Sequence, residues 1–249
     1  MAFVTSITAT CPIRKDPDHR SEMTSQLLLG EFAEIIEEQK EFIKVKCLYD
    51  DYEGWCQRVQ LVFTDYVTAT TKYALNPISI LSINQSPCRV SFATPVFEGI
   101  IAYKNFTVDY SNVITIDANQ QVFTPQNITQ FATVFLNTPY LWGGRSLFGI
   151  DCSGFAQQVY KLFNKMLPRD AHQQAEKGEA LGFLEEAVCG DLAFFDNEVG
   201  FITHVGILLN NHQIIHASGR VKIDEIDNVG IISSDTGLRT HRLRVIKRY

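Results

Sequence analysis

Residues 140–155 constrain this chain more than any other stretch: Tyr140-Leu-Trp-Gly-Gly-Arg145, followed by Gly149-Ile-Asp-Cys-Ser-Gly-Phe155. The Gly-Gly pair marks a turn. From Phe155 the apolar residues recur at Val159, Leu162, Phe163 and Met166, one face of a helix. The spacing therefore predicts a helix that starts at or near Cys152. Unpaired N–H groups and the positive end of the macrodipole at such a terminus favour a thiolate over a thiol. This is a way to activate a nucleophile without a metal. Free cysteines are mostly small buried hydrophobes, and Cys11, Cys47, Cys56, Cys88 and Cys189 are expected to be that. Cys152 differs, because its neighbours are Asp, Ser and Gly rather than a hydrophobic run.

Composition narrows the class. The 249 residues are 45% hydrophobic and 20% charged, enough for two or three small soluble domains. The net charge is −6, and basic residues gather only between Arg239 and Arg248, so no nucleic-acid partner is expected. That tail alternates and reads as a final edge strand. The first ten residues lack the basic start and apolar core of a signal peptide, and no stretch approaches a membrane span. The expected location is the cytoplasm, whose reducing conditions suit six unpatterned cysteines.

Three segments follow from the pattern. Residues 1–64 hold short strand-like runs between turn signals, which suggests a small barrel. Residues 65–121 have strand-like pieces and few motifs, and are read as a second, degenerate barrel. Residues 122–249 begin with helix-like residues from Thr129 to Leu136 and the cysteine helix, then continue as strands at 190–195, 202–209, 213–217 and 229–233. Helices before a sheet make an α+β domain.

Two histidines lie in the strand-like part: His204 in Ile202-Thr-His-Val-Gly206, and His216 in Gln213-Ile-Ile-His-Ala217. Asn210-Asn211-His212 is the hairpin turn between them. Pairing centred on residue 210 sets 204 opposite 216 on one face, whereas a strict two-residue turn separates them. An odd-length loop or a bulge is therefore expected. In that geometry His204 serves as base to the thiol and His216 orients it, the logic of cysteine and serine hydrolases. One cysteine with two histidines, without CxxC or HxxxH spacing, gives little support to zinc, and no metal is expected. His19, His172, His212 and His241 are assigned no role.

Together these motifs resemble the NlpC-type family of cell-wall cysteine peptidases. The resemblance runs from about Phe123 to the C-terminus through Tyr140-Leu-Trp-Gly-Gly144, Asp151-Cys-Ser-Gly154, Pro168-Arg-Asp170, Gly190-Asp-Leu192, His204-Val-Gly206 and Ile215-His216. Pro12-Ile-Arg14, Ser25-Gln-Leu-Leu-Leu-Gly-Glu31 and Asp51-Tyr-Glu-Gly-Trp55 resemble a bacterial SH3-like domain. The resemblance implies a papain-like catalytic domain, its cysteine helix packed on an antiparallel sheet, preceded by small SH3-like barrels.

It also implies roles. Cys152 is the nucleophile, His204 the base and His216 the orienting residue, and Tyr140 offers its hydroxyl to the oxyanion. Asp151, Ser153, Trp142, Arg169 and Asp170 meet the substrate. A serine that follows the Arg-Asp pair in some relatives is Ala171 here. SH3-like domains joined to such a peptidase further resemble γ-D-glutamyl-L-diamino acid endopeptidases that recycle wall peptides. The implied partner is a peptidoglycan stem peptide, L-Ala-γ-D-Glu-diamino acid, whose free amine meets Asp170 and the barrel residues Glu22 and Tyr52. No cofactor is required. An amidase or acyltransferase on the same triad, or a non-enzymatic wall-binding protein, are the competing classes.

Overall fold

The computed structural model describes residues 2–104 and 106–249. Seven strands form the first unit: β1 (Phe3–Ser6), β2 (Thr10–Arg14), β3 (Met23–Leu28), β4 (Phe32–Glu38), β5 (Phe42–Cys47), β6 (Glu53–Gln57) and β7 (Leu61–Thr64). Their order is β3-β2-β6-β5-β4-β1-β7, and a parallel bridge from Ser6 to Leu29 curls the sheet back on itself. Strand periodicity sets the inside: Ile43, Val45 and Cys47 are buried while Lys44 and Lys46 between them are not. They pack with Val4, Ile13, Leu27 and Cys56.

The next segment carries β8 (Lys72–Ala74), β9 (Ile78–Ile83), β10 (Ser86–Ser91), β11 (Ile100–Tyr103), β12 (Phe106–Asp109) and β13 (Thr115–Asp117). Four of them make an open sheet, β10-β9-β12-β11, and β8 pairs with β13. Leu81, Val90 and Phe97 pack onto Leu29 and Phe32 of the first unit. Tyr73, Phe92 and Ala118 instead join the core of the last unit. The segment is a wedge whose apolar side chains are divided between its neighbours.

The last unit holds α1 (Pro125–Thr133), the short ribbon β14 (Arg145–Ser146) and β15 (Gly149–Ile150), α2 (Cys152–Lys161), α3 (Ala171–Ala175) and β16 (Glu179–Leu181). Then come β17 (Leu192–Asp196), β18 (Ile202–Leu208), β19 (Gln213–Ser218), β20 (Arg220–Ile226), β21 (Gly230–Ile232) and β22 (Arg239–Arg248). The sheet runs β16-β22-β17-β18-β19-β20-β21, and β22 also pairs with β21, which closes a ring. The tail is thus not an edge strand, because its ten residues reach both β21 and β17. Alternate residues face opposite ways. Val205, Ile207, Ile215 and Val221 pack outward under α1 and α2, and Phe195, Leu208, Ile214 and Ile231 fill the ring.

Helix α2 buries Phe155 and Val159, and Leu162 and Phe163 just beyond its end are buried too. Met166 departs from the expected face and is exposed, because the helix stops at Lys161 and Asn164 turns the chain with φ 55°. Cys88 and Cys189 are only partly buried, unlike Cys11, Cys47 and Cys56. Among the described residues no helix is long and apolar enough to cross a membrane.

A buried ion cluster fixes the barrel to the last unit. Glu31 accepts from Arg145 Nη1 at 2.8 Å and Nη2 at 3.1 Å, and from Lys161 Nζ at 2.8 Å. The two cations hold its carboxyl down to about 2 against the opposing effect of burial. Lys161 Nζ also lies over the Tyr49 ring, 4.8 Å from its centroid. Removing one partner of such a cluster leaves uncompensated buried charge. Glu31→Gln is expected to cost about 3–5 kcal/mol in urea unfolding, and Lys161→Met, which keeps the Arg145 pair, to cost less. Wild-type stability in Glu31→Gln would contradict this.

Candidate active site

Cys152 is the first residue of α2, with Asp151 as its N-cap. The Asp151 carboxylate accepts from Gly154 N–H at 2.7 Å and from Gly143 N–H at 2.9 Å, so it ties the helix to the Gly-Gly turn. Gly143 has φ 77°, and a Cβ there would sit 2.6 Å from the Met23 carbonyl oxygen of the barrel. Arg169 completes the set: Nη2 and Nη1 donate to Asp151 at 2.5 and 3.1 Å, Nη1 to Ser153 Oγ at 2.9 Å and Nε to Ser25 Oγ at 2.9 Å. Arg169 and Asp151 are both buried. Asp151, Ser153 and Arg169, expected to meet substrate, also line the cleft beside Cys152. They are engaged with one another and hold the site in shape.

The imidazoles come from the ring of strands. Leu209 N–H donates to the Gln213 carbonyl, and Ile207 pairs with Ile215, so the loop is the odd-length Asn210-Asn211-His212. The pairing is centred on residue 211 rather than 210, which sets His216 across from Gly206, not His204. A Cβ on residue 206 would lie 2.9 Å from the His216 Cβ. The missing side chain lets His216 lean diagonally to His204, and His204 Nε2 and His216 Nδ1 are 2.8 Å apart. His216 Nε2 lies 3.0 Å from Asp224 Oδ2.

Two participants carry no motif in the sequence. Asp224 sits on β20, and His241 on β22 stacks against His204 with centroids 4.1 Å apart. A His or Asp in an alternating strand looks like any other, and the pairing of β21 with β22 that delivers His241 is not written locally. His204, His216 and His241 bring ring nitrogens within 4.8 Å of one another. His204 and His241 are stacked at 25°, so their in-plane lone pairs run nearly parallel rather than converging on an ion. The expected result is that chelators leave turnover unchanged.

The remaining predicted residues line one cleft of about 590 Å³ beside Cys152: Glu22 and Tyr52 from the barrel, and Trp142, Asp151, Ser153, Arg169 and Asp170 from the last unit. Trp142 is exposed on the cleft wall, and its Nε1–H donates to Glu22 Oε1 at 2.8 Å. Burial pushes the Asp170 carboxyl up. Burial pushes the Tyr140 hydroxyl up, and Cys152 is the first of the neighbouring groups that act on it.

A model described as the NlpC/P60 family matches residues 137–240, and one described as bacterial dipeptidyl-peptidase Sh3 domain matches residues 13–67. The chain is 31% identical over 223 residues to a γ-D-glutamyl-L-lysine dipeptidyl-peptidase of Bacillus subtilis, covering 81% of this chain and 74% of that one. It is 26% identical to the Bacillus cereus protein of the same name, covering 89% and 76%. The chain belongs to the NlpC/P60 family. An NlpC/P60 family protein from Bacillus cereus shares the fold over 99% of both chains, with a TM-score of 0.79 and 20% identity.

As an NlpC/P60 cysteine peptidase with an SH3-like N-terminal domain, the protein departs from one expectation. Burial, reinforced by the Asp151 charge, pushes the Cys152 thiol up to about 12, against the pull of the Val205 and Ser153 amides. Burial also lowers His204 well below its ordinary 6.5. Burial thus favours the neutral thiol and the neutral imidazole over an ion pair.

His204, His216 and His241 (about 4) are all lowered by burial. The unfolded chain takes up protons near pH 6.5 that these folded imidazoles refuse. Their contribution is present above 6.5 and is lost as pH falls toward 4. His241→Phe, which keeps an aromatic ring in the stack, is expected to flatten the loss of urea stability over that window. An equally steep or steeper loss would contradict the assignment.

Proposed function

We propose that the protein hydrolyses the bond between γ-D-Glu and the diamino acid of peptidoglycan stem peptides that begin with a free L-Ala. The observation that carries this is that Glu22 and Tyr52 of the barrel line the same cleft as Cys152 and Asp170. The names of the relatives, γ-D-glutamyl-L-lysine dipeptidyl-peptidase, agree in bond and in the two-residue product. A barrel that walls one end of the cleft limits how much substrate lies before the scissile bond. Two carboxylates and a phenol there suit an ammonium, which is costly to bury unpaired.

The reaction follows from the site. Cys152 Sγ attacks the γ-carbonyl carbon of D-Glu as His204 takes the thiol proton. The oxyanion meets the Tyr140 hydroxyl and a backbone N–H near Cys152. His204 then returns the proton to the leaving amine of the diamino acid. Water, deprotonated by His204, cleaves the thioester and releases L-Ala-γ-D-Glu. We read the cysteine helix on its antiparallel sheet as a papain-like arrangement. Residues 1–64, 65–121 and 122–249 are proposed as the SH3-like, second SH3-like and catalytic segments. We also place the protein in the cytoplasm, which suits its six free thiols.

Cys152→Ala is expected to abolish hydrolysis of L-Ala-γ-D-Glu-diamino acid while the protein stays folded. Acetylating the L-Ala amine is expected to lower kcat/KM by about two orders of magnitude, because the carboxylates that line the cleft lose their partner. Equal rates on free and acetylated peptide, with Cys152→Ala inactive on both, would leave a peptidase without amine selection. Activity in Cys152→Ala would remove the mechanism itself.

A further inference from the structure

Behind the Cys152, His204 and His216 set lies a carboxylate that no feature of the sequence marks. Asp224 Oδ1 accepts from Ser234 N–H at 2.9 Å and from Ser234 Oγ–H at 2.6 Å. Asp224 Oδ2 faces His216 Nε2 at 3.0 Å and Lys222 Nζ at 3.1 Å. The residue is only 2% exposed, and it has a donor on every side. Register explains the arrangement: His216 pairs with Lys222 and Ile214 with Asp224 across the β19–β20 hairpin, so alternate residues of both strands point into the same end of the ring.

We propose that Asp224 is a positioning residue for catalysis, fixing through His216 which nitrogen of His204 carries the proton. This rests on the peptidase reading of the site. An ionised carboxylate only accepts hydrogen bonds, so His216 must present Nε2–H to it. His216 is neutral, which leaves the lone pair on Nδ1. The partner of that lone pair, His204 Nε2 at 2.8 Å, must therefore be the donor. His204 is then left with its lone pair on Nδ1. That nitrogen is the one not held by His216, and the backbone N–H of the adjacent residue, Val205, is near enough to the Cys152 sulfur to act on its thiol. The chain of hydrogen bonds thus places an empty base toward the thiol. When Sγ attacks, its proton goes to His204 Nδ1, and the imidazolium is stabilised through His216 by the Asp224 charge.

The opposite tautomer is the failure this arrangement prevents. With protons on both Nδ1 atoms the His204–His216 hydrogen bond survives, but His204 shows the sulfur an N–H that cannot accept. Asp224→Asn favours that state, because Ser234 keeps the amide oxygen and the amide N–H groups turn to His216 Nε2. In serine peptidases the corresponding carboxylate-to-amide change costs about 10⁴ in kcat with geometry intact.

The titratable groups around Asp224 are His216, Lys222, His241 and Arg220. Removing the negative charge lowers the imidazole values further, so the acid limb of kcat/KM moves to lower pH while the plateau falls. A carboxylate that only stabilises the hairpin predicts a lower unfolding temperature with an unmoved limb.

The test uses the full chain with 15N-labelled histidine. In the wild type the side-chain 15N shifts are expected to show protonated Nε2 and unprotonated Nδ1 on both His204 and His216, a measurement that needs no variant. In Asp224→Asn the pattern is expected to invert, with kcat reduced about 10²- to 10⁴-fold and KM changed less than threefold. Asp224→Glu is expected to restore part of the rate. Nδ1-protonated His204 in the wild type would overturn the proposal. So would Asp224→Asn with kcat within threefold of wild type. Loss of all activity in Cys152→Ala is untouched by either result, so failure here is separable from failure of the peptidase reading.

Discussion

The pair of Asp151 and Arg169 is the interaction on which the geometry of the site depends. One carboxylate caps α2, holds the turn before it and receives a guanidinium that reaches on to Ser25 of the barrel. Both groups are buried, and charges removed from water repay their desolvation only when geometry is good and the remaining hydrogen bonds are filled. Here they are filled from four directions. The nucleophile, the Gly-Gly turn, the loop before α3 and the barrel wall are therefore fixed relative to one another by a single contact.

Burial, more than this pair, favours the thiol form of Cys152. A helix N-terminus favours a thiolate, but near-complete burial and the carboxylate of the adjacent N-cap residue outweigh it. The gain is in the transition state rather than the ground state. A neutral thiol and a neutral imidazole cost little to bury, and in the proposed reaction charge develops where the Tyr140 hydroxyl and a backbone N–H would receive it. His204 in turn sits between Phe195 and His241, at one end of a ring of strands filled further along by apolar residues. Rigid neighbours hold the base without charging it.

Much of this was legible because the relevant signals are local. A cap residue, a glycine pair and 3.6-residue spacing announce the start of α2, and the odd number of residues between two strands puts His204 and His216 on one face. Gly206 could not be read as the reason the two rings meet, since register shifts by two residues leave the face unchanged. Met166 was misplaced because Asn164 ends the helix by a left-handed turn that any Asn is free to make or not. Asp224, His241 and Glu31 were invisible for a different reason. Each acts through a partner brought by a distant strand, and an acid or imidazole in an alternating segment carries no mark of what faces it. The motif of Arg169 is evident in the sequence, but only the fold shows that its donors reach Asp151, Ser153 and Ser25.

The central claim is that Cys152 becomes covalently acylated by the γ-carboxyl of D-Glu. Mass spectrometry of enzyme quenched in acid during turnover of L-Ala-γ-D-Glu-diamino acid measures that directly. The account predicts a transient adduct of L-Ala-γ-D-Glu, less water, on the peptide that contains Cys152. Turnover with no adduct at any quench time, or an adduct on another residue, would contradict it.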